Sequence, residues 1–279
     1  MSKQKIVFFD IDGTIWDWDR NIPESTVKAI KQLQSNGHLA FICSGRAKSH
    51  IIDPKLLSIG FDGMVAGCGT YIEINGKTAF NHLIPDEVVR LTVETALKCN
   101  MPIVLEGPWK HWLTKFGFEN DHFVDTMVKE MGANAIFFDS YTEDMKINKF
   151  ASDVLRKTDY ETVKKILLPY YDFIEHGLSQ DLTEGDENDP DAIISIIETV
   201  PCGITKGTGV LKACELTGVD ISDSFGLGDS ANDIEMFDAV GHSICMGNGA
   251  EAAKAAADFV TTDLLDDGIA NALKHFELI

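Results

Sequence analysis

Short, uninterrupted apolar runs alternate with helix-period stretches at both ends of this chain. Ile6-Val7-Phe8-Phe9, Leu39-Ala40-Phe41-Ile42-Cys43, Ser224-Phe225-Gly226-Leu227-Gly228, His242-Ser243-Ile244-Cys245-Met246 and Asp258-Phe259-Val260-Thr261 each read as a short buried strand. Between the first two, Val27, Ile30 and Leu33 share one helical face in the stretch from Pro23 to Gly37. Pro23 suits the first turn of that helix and Gly37 its C-terminal cap. Gly207 to Leu216 and the Ala-rich stretch before Asp258 read as helices too. Continuous apolar strands joined by helices predict a parallel sheet covered on both faces.

The middle of the chain has another pattern. From about Asn81 to Val200 the strands are more amphipathic, and Trp109, Trp112, Phe116 and Phe118 cluster. Helical stretches follow from Glu119 to Met131 and from Tyr160 to Leu168. Acidic residues crowd Asp181 to Asp191, broken by Gly185 and Pro190, and read as an exposed loop between two strands. Their spacing fits no calcium-loop template. The change of pattern predicts an α/β core built from residues 1–81 and 201–279, with a separate α/β domain inserted over 82–200.

Charge narrows the partners. With 24 basic and 44 acidic residues in 279, the formal charge is −20, and nucleic acid or an anionic membrane surface would repel the chain. A small anionic substrate stays compatible, because a local cation reverses the potential inside a cleft. The hydrophobic fraction of 44% is that of a soluble protein with a real core. Six cysteines at irregular spacings, with no C-x-x-C pair, argue against a disulfide framework or a zinc site and suit a reducing cytoplasm. The apolar run near the N-terminus is too short for a signal peptide, and no stretch is long enough to span a membrane.

Candidate chemistry gathers at the strand exits. Three strands end in Asp10-Ile11-Asp12-Gly13, Ser44-Gly45-Arg46 and Gly228-Asp229-Ser230-Ala231-Asn232-Asp233, and Thr205-Lys206-Gly207 sits just before a helix. Ligands of an open parallel sheet bind beyond the carboxyl ends of its strands, so these groups are expected at one rim. There Asp10 has the chemistry of a nucleophile that passes a phosphoryl group through an aspartyl-phosphate, and Asp12 that of a general acid and base. Asp10 and Asp229 suit Mg²⁺, with the backbone carbonyl of Asp12 as a third oxygen. The Ser44 hydroxyl and the Gly45 N–H suit phosphate oxygens, as does Asn232 as a donor. Lys206 supplies positive charge to the transferring group, and Asp233 orients Lys206 or a metal-bound water. For Arg46 a phosphate contact and a structural ion pair both stand. His38, His50 and His242 show no ligand spacing and read as structural or surface residues.

Phe9-Asp10-Ile11-Asp12-Gly13-Thr14, Ser44-Gly45-Arg46, Lys206-Gly207 and Gly228-Asp229-Ser230-Ala231-Asn232-Asp233 resemble the four ordered motifs of the haloacid dehalogenase superfamily. The insertion between the second and third motifs resembles the Cof-type subfamily with its type IIB cap, as does Met246-Gly247-Asn248-Gly249 after the fourth. The resemblance implies a Rossmann-like core with an inserted α/β cap, Asp10 as nucleophile and Asp12 as acid/base. It implies magnesium at Asp10, Asp12 and Asp229, and phosphate contacts from Ser44, Gly45, Lys206 and Asn232. Two departures stand out: Cys68-Gly69-Thr70 where the family commonly has Asn-Gly, and Ser44 where Thr is commoner. The expected protein is a cytoplasmic Mg²⁺-dependent phosphatase of small phosphorylated metabolites whose cap excludes water and selects the leaving group. The alternative is a phosphomutase or phosphotransferase that uses the same aspartate. A phosphoacceptor signalling module fits less well, because a base such as Asp12 shortens the life of a phospho-aspartate. In the cap, Glu106, Trp109, His111 and Trp112 follow an apolar strand and are candidates to face the substrate, with ordinary packing as the reading for the tryptophans. The particular substrate and the oligomeric state are not legible in the sequence.

Overall fold

The computed structural model describes residues 3–118, 121–176 and 189–279. The chain starts with β1 (Ile6–Phe9), whose four side chains are wholly buried, as its apolar run requires. Helix α1 (Glu24–Ser35) follows Pro23 and buries Thr26, Ala29, Ile30 and Leu33, while Val27 lies at the margin of that face. Next come β2 (Leu39–Cys43), a single turn of helix α2 (Pro54–Leu57) and β3 (Gly63–Ala66). The carboxylate of Asp53 caps α2 by accepting from the Lys55 and Leu56 N–H groups. A hairpin of β4 (Tyr71–Ile74) and β5 (Lys77–Asn81) turns at Asn75-Gly76, both at positive φ (51° and 71°). Asn-Gly is the residue pair that tolerates such a turn at least cost.

The middle stretch contains α3 (Asp86–Lys98), β6 (Val104–Glu106), β7 (His111–Thr114), α4 (His122–Met131), β8 (Ala135–Phe138), β9 (Lys149–Leu155), α5 (Tyr160–Leu167), β10 (Tyr171–His176) and β11 (Ile193–Pro201). Helix α4 starts at His122 because the Asp121 carboxylate accepts from Phe123 N–H and Val124 N–H and so sets the boundary. Most of the acidic stretch from Asp181 to Asp191 lies outside the described residues. The chain closes with α6 (Lys206–Thr217), β12 (Ser224–Gly228), α7 (Ile234–Ala239), β13 (His242–Cys245), α8 (Glu251–Ala256), β14 (Phe259–Val260) and α9 (Gly268–His275).

These elements form two compact units. The first comprises residues 1–46, 52–81 and 204–279, and the second residues 47–51 and 82–203. The first unit holds a sheet of order β14-β13-β12-β1-β2-β3-β4-β5. Its strands from β14 to β3 run parallel, while β4 and β5 pair antiparallel at the edge. The expected parallel sheet is therefore a mixed one, because the Asn75-Gly76 turn adds a hairpin to its edge. Its core includes Ile6, Phe8, Phe41, Val65, Ile72, Val210 and Met236.

The second unit has a sheet of order β10-β11-β9-β6-β7-β8, antiparallel except for β7 against β8. Alternation along the strands splits its side chains between two faces. Leu105, Trp112, Phe150 and Ile197 pack with Val89 and Val93 of α3 and Val163 and Leu167 of α5. Val104 and Leu113 pack with Val124, Met127 and Met131 of α4 on the other face. Among the described residues, no helix is long and apolar enough to cross a membrane.

Candidate active site

Strand β1, in the middle of the first unit's sheet, delivers Asp10 at its C-terminal end. The Asp10 N–H continues the ladder by donating to Leu227 O of β12 at 2.9 Å, so backbone pairing fixes the exit of the strand. Strand β12 ends at Gly228 and delivers Asp229 beside it, with the Asp229 N–H turned to the Asp233 carboxylate. The intervening turn is tight. Gly13 sits at φ +76°, and a Cβ there would lie 2.3 Å from Asp229 Oδ2. Only glycine lets that turn close against the carboxylate.

Lys206 occupies the first position of α6. Thr205 and Thr208 form a reciprocal capping box at that helix start, with Thr208 N–H donating to the Thr205 hydroxyl and Thr205 N–H to the Thr208 hydroxyl. Gly69, at φ +100°, lets the turn after β3 approach the same place, where a Cβ would lie 2.4 Å from Thr205 O. Lys206 is 1% exposed, and its ammonium donates to Asp10 Oδ1 at 2.8 Å, Asp233 Oδ1 at 2.7 Å and Asn232 Oδ1 at 3.1 Å. Burial opposes that charge, but the carboxylates of Asp10 and Asp233 outweigh it and hold the lysine protonated, its pKa well above the ordinary value.

Asp233 is fully buried and held from two sides. Its Oδ2 accepts from Asp229 N–H at 3.0 Å and Ser230 N–H at 3.1 Å, while Oδ1 faces Lys206. Asp10, Asp229 and Asp233 bring carboxylate oxygens within 4.8 Å of one another. The crowding shows in their proton affinities. Burial pushes Asp10 well above the usual carboxylate range; Lys206 opposes this, while Asp233 and Asp229 add to it. Burial, then the Asp233 charge, push Asp229 up to about 7 against the pull of Lys206. Three carboxylates share one lysine here, and hard oxygen donors short of positive charge fit a divalent cation such as Mg²⁺.

The side chain of Asp12 takes another direction. Arg46 grips it with two hydrogen bonds, Nε to Oδ2 at 2.7 Å and Nη2 to Oδ1 at 2.8 Å. The Trp16 indole N–H donates to Oδ1 at 2.9 Å. Of the two readings of Arg46, the structure has the ion pair. Ser44 is buried; its hydroxyl oxygen accepts from Arg46 N–H at 3.2 Å, and its carbonyl accepts from Cys68 N–H at 3.1 Å. The Asn232 amide oxygen accepts from Lys206 and from the Ser230 hydroxyl at 2.8 Å, leaving its NH₂ as donor. In the loop after β13, Asn248 donates from Nδ2 to Gly13 O at 2.8 Å and accepts Leu264 N–H at 2.8 Å, which pins the turn that carries Asp12.

The first unit thus brings together Asp10, Asp229, Lys206, Asn232 and Asp233, with Asp12 on an adjoining branch through Arg46. Trp16 escaped the sequence reading, because a tryptophan four residues after an aspartate carries no local signal.

The tryptophans and histidine of the second unit divide. Trp112 is buried in the core and Trp109 is exposed beneath the Lys48 ammonium, 4.4 Å from its ring centre, so packing accounts for the first but not the second. His111 is wholly buried and held neutral, its pKa pushed down to about 3 by burial and then by His50 and Lys149.

Comparison with known proteins agrees with the geometry. The family description of haloacid dehalogenase-like hydrolases matches residues 7–273. YkrA of Bacillus subtilis (strain 168), provisionally named a phosphatase, is 30% identical over 99% of this chain and 98% of its own length. The HMP-PP phosphatase of Yersinia enterocolitica is 25% identical over 98% of this chain and 95% of its own. Among solved structures, a hypothetical protein from Geobacillus kaustophilus HTA426 superposes with a TM-score of 0.80 at 28% identity, covering 99% of this chain and 100% of that one. The subclass IIB sugar phosphatase BT4131 gives a TM-score of 0.75 at 24% identity over 99% and 100%, a likeness of fold. With four motifs in order, three of them at the exits of parallel strands and the fourth at the start of α6, and a match over nearly its whole length, this chain belongs to the haloacid dehalogenase-like hydrolases, in their Cof-type branch.

Proposed function

We propose that this protein is a magnesium-dependent phosphatase that hydrolyses small phosphorylated metabolites through a phosphoryl group carried on Asp10. The observation that carries the reading is the buried contact of Lys206 with Asp10 at 2.8 Å, beside the carboxylates of Asp229 and Asp233. Asp10 and Asp229 would hold Mg²⁺ with the backbone carbonyl of Asp12, and Asp233 would steady Lys206 beside it. The bound ion would screen the carboxylates from the incoming phosphate and draw charge from its oxygens. Two full-length relatives, a 5-amino-6-(5-phospho-D-ribitylamino)uracil phosphatase and the HMP-PP phosphatase, are named for small phosphorylated compounds, which supports the substrate class.

In the first half-reaction an Asp10 oxygen attacks phosphorus, the bond to the ester oxygen breaks, and the proton on Asp12 passes to that leaving oxygen. In the second, water attacks phosphorus, its proton passes to Asp12, and the bond to Asp10 breaks. Asp10 is again a carboxylate, Asp12 again carries a proton, and one alcohol and one phosphate have formed. Lys206 stays charged throughout and faces the growing negative charge. Ser44, Gly45 and Asn232 would hold the remaining phosphate oxygens. The setting we propose is the cytoplasm, which suits six free thiols.

Asp10→Asn tests the reading. Loss of the nucleophile should lower release of phosphate from an aryl phosphate by about 10⁴-fold or more, with the far-UV spectrum and thermal unfolding retained. Near-native turnover in that variant would overturn the mechanism. Incubation with a sugar monophosphate separates the two products: free phosphate supports hydrolysis, whereas an isomer supports a mutase.

A further inference from the structure

We propose, on the magnesium reading above, that Asn248 is a positioning residue for the cation site: it clamps the Gly13 turn against Asp229 before any ion arrives. The oxygens that would hold the ion come from two stretches far apart in the chain, the turn after β1 and the turn after β12. A site whose halves are fixed in advance binds more tightly, because less ordering is left to the moment of binding. One loop ties the halves together. It follows β13, and its backbone grips the second turn at both ends, with Met246 N–H donating to Gly228 O at 2.9 Å and Ala250 N–H to Asp229 O at 2.7 Å. Between these contacts Asn248 reaches the first turn, Nδ2 donating to Gly13 O at 2.8 Å. The flanking glycines let the loop lie this close. A Cβ at Gly249 would fall 2.9 Å from Asp229 O, and one at Gly247 2.4 Å from Asp263 Oδ1.

The first turn needs such a clamp. Gly13 lies at φ +76° and has no side chain to hold it in place. Its two peptide groups are held from outside instead: its N–H donates to Trp16 O at 2.9 Å, and its carbonyl accepts from Asn248. A peptide is planar and trans, so fixing the Gly13 N–H also fixes the opposite direction for the Asp12 carbonyl, the backbone oxygen assigned to the ion. The Asp12 side chain takes no part, since Arg46 and Trp16 hold it. Gly13 also backs onto Asp229, where a Cβ would lie 2.3 Å from Oδ2. A Gly13 turn that swings therefore moves the Asp12 carbonyl and the wall behind the Asp229 carboxylate together. The Asn248 amide is itself fixed, because Oδ1 accepts Leu264 N–H at 2.8 Å and only one orientation of the amide satisfies both partners. Asn248 is exposed, so a substitution there leaves the packing of the core intact.

The test is Asn248→Ala, read by cation binding without substrate. Mn²⁺, which takes the same hard oxygen donors, is titrated into the full chain well below its melting temperature, and the free ion is counted by its paramagnetic resonance signal. Asp229→Asn, titrated alongside, identifies the Mn²⁺ that occupies this site. We expect Asn248→Ala to raise the Kd of that Mn²⁺ by about tenfold or more, the loss typical of a group that orients a ligand from behind. The magnesium concentration for half-maximal activity should rise in step, and saturating Mg²⁺ should restore kcat. A lower melting temperature with Mn²⁺ affinity unchanged would make Asn248 a structural clip only, and no change in either would make its amide irrelevant; each overturns the proposal. If Asn248→Ala does not fold, Asn248→Leu fills the same volume without the amide and is read the same way. Wild-type enzyme that binds no Mn²⁺ at this site would count against the magnesium reading itself, which separates the two failures.

Discussion

Both units bury a lysine among carboxylates, and they assemble the arrangement in opposite ways. In the first, Lys206 comes from a helix start, Asp10 from a strand exit 196 residues away, and Asp233 from the turn after β12. In the second, Lys149, 2% exposed, pairs with Glu198 and lies 3.9 Å from Glu106. Those three come from neighbouring strands of one antiparallel ladder, with β9 between β11 and β6. Lys149 and Glu106 are direct partners in register, and so are Glu106 and His111, so their side chains share one face of the pleat. Strand exits leave charged groups at a rim where a ligand can meet them. A ladder packs them side by side within the fold. The difference gives an expectation to test: ion pairing in a protein core does not by itself signal chemistry, and position relative to the ends of the sheet is the better guide.

The largest effect that would break this comparison comes from removing metal. The first unit's cluster adds Asp229 as a third carboxylate, and among the described residues Asp10, Asp229 and Asp233 form the one group of three ligands close enough to share an ion. Chelation should abolish turnover and added Mg²⁺ restore it. Asp229→Asn should raise the magnesium concentration for half-maximal activity by at least about tenfold. Full activity in chelator would dismiss the ion.

Next come the two lysines. Lys206→Met and Lys149→Met each leave buried carboxylates without their cation, and each should cost about 3–5 kcal/mol of stability by chemical unfolding. Only Lys206→Met should also slow the chemistry, by about 10²–10³-fold on a small aryl phosphate. A folded Lys149→Met enzyme that has lost turnover to the same extent would erase the distinction between rim and ladder.

A smaller effect concerns proton linkage in the second unit. Asp153 is 4% exposed, and burial followed by the Asp121 charge pushes its pKa up to about 8 from 3.8. The folded chain therefore keeps a proton that the unfolded chain releases, so this residue lowers stability as pH rises from about 4 to about 8. Asp153→Asn removes that dependence. Its stability relative to wild type should improve between pH 5 and pH 8 by about 1 kcal/mol or more, because a tenfold difference in proton affinity between the folded and unfolded chain is worth about 1.4 kcal/mol. An unchanged difference across that range would contradict the assignment.

The smallest effect is at Cys68, where the resemblance leads one to expect asparagine. Cys68 sits at φ 54°, left-handed backbone that asparagine tolerates better than other side chains. Cys68→Asn should raise stability by about 0.5 kcal/mol, seen as a small rise in melting temperature. A fall would show that the thiol's packing outweighs the backbone strain.

The sequence reading succeeded where the physical signal is local. Five runs became strands; β1, β2, β12 and β13 are largely buried, as a strand covered on both faces requires, while the two-residue edge strand β14 leaves Val260 exposed. The boundary of α6 was legible to within one residue, since Thr205 caps it. The Asn75-Gly76 hairpin was missed although its two residues are a turn signal, because β5 is an exposed edge strand without the continuous apolar run that marks a buried one. Helix α3 was not separated from the amphipathic stretch around it.

By itself the sequence determined the strands, the helices between them and the four polar signatures at their ends, because each depends on residues close together in the chain. The topology of an open parallel sheet then implied that those signatures converge. Only the tertiary structure decided that Asp12 turns toward Arg46 and Trp16, that Asp233 joins the carboxylates of Asp10 and Asp229, and that Lys149 lies among Glu106 and Glu198. Those outcomes depend on rotamers, strand register and the cost of burying a charge unpaired, and none of them is written in the order of neighbouring residues.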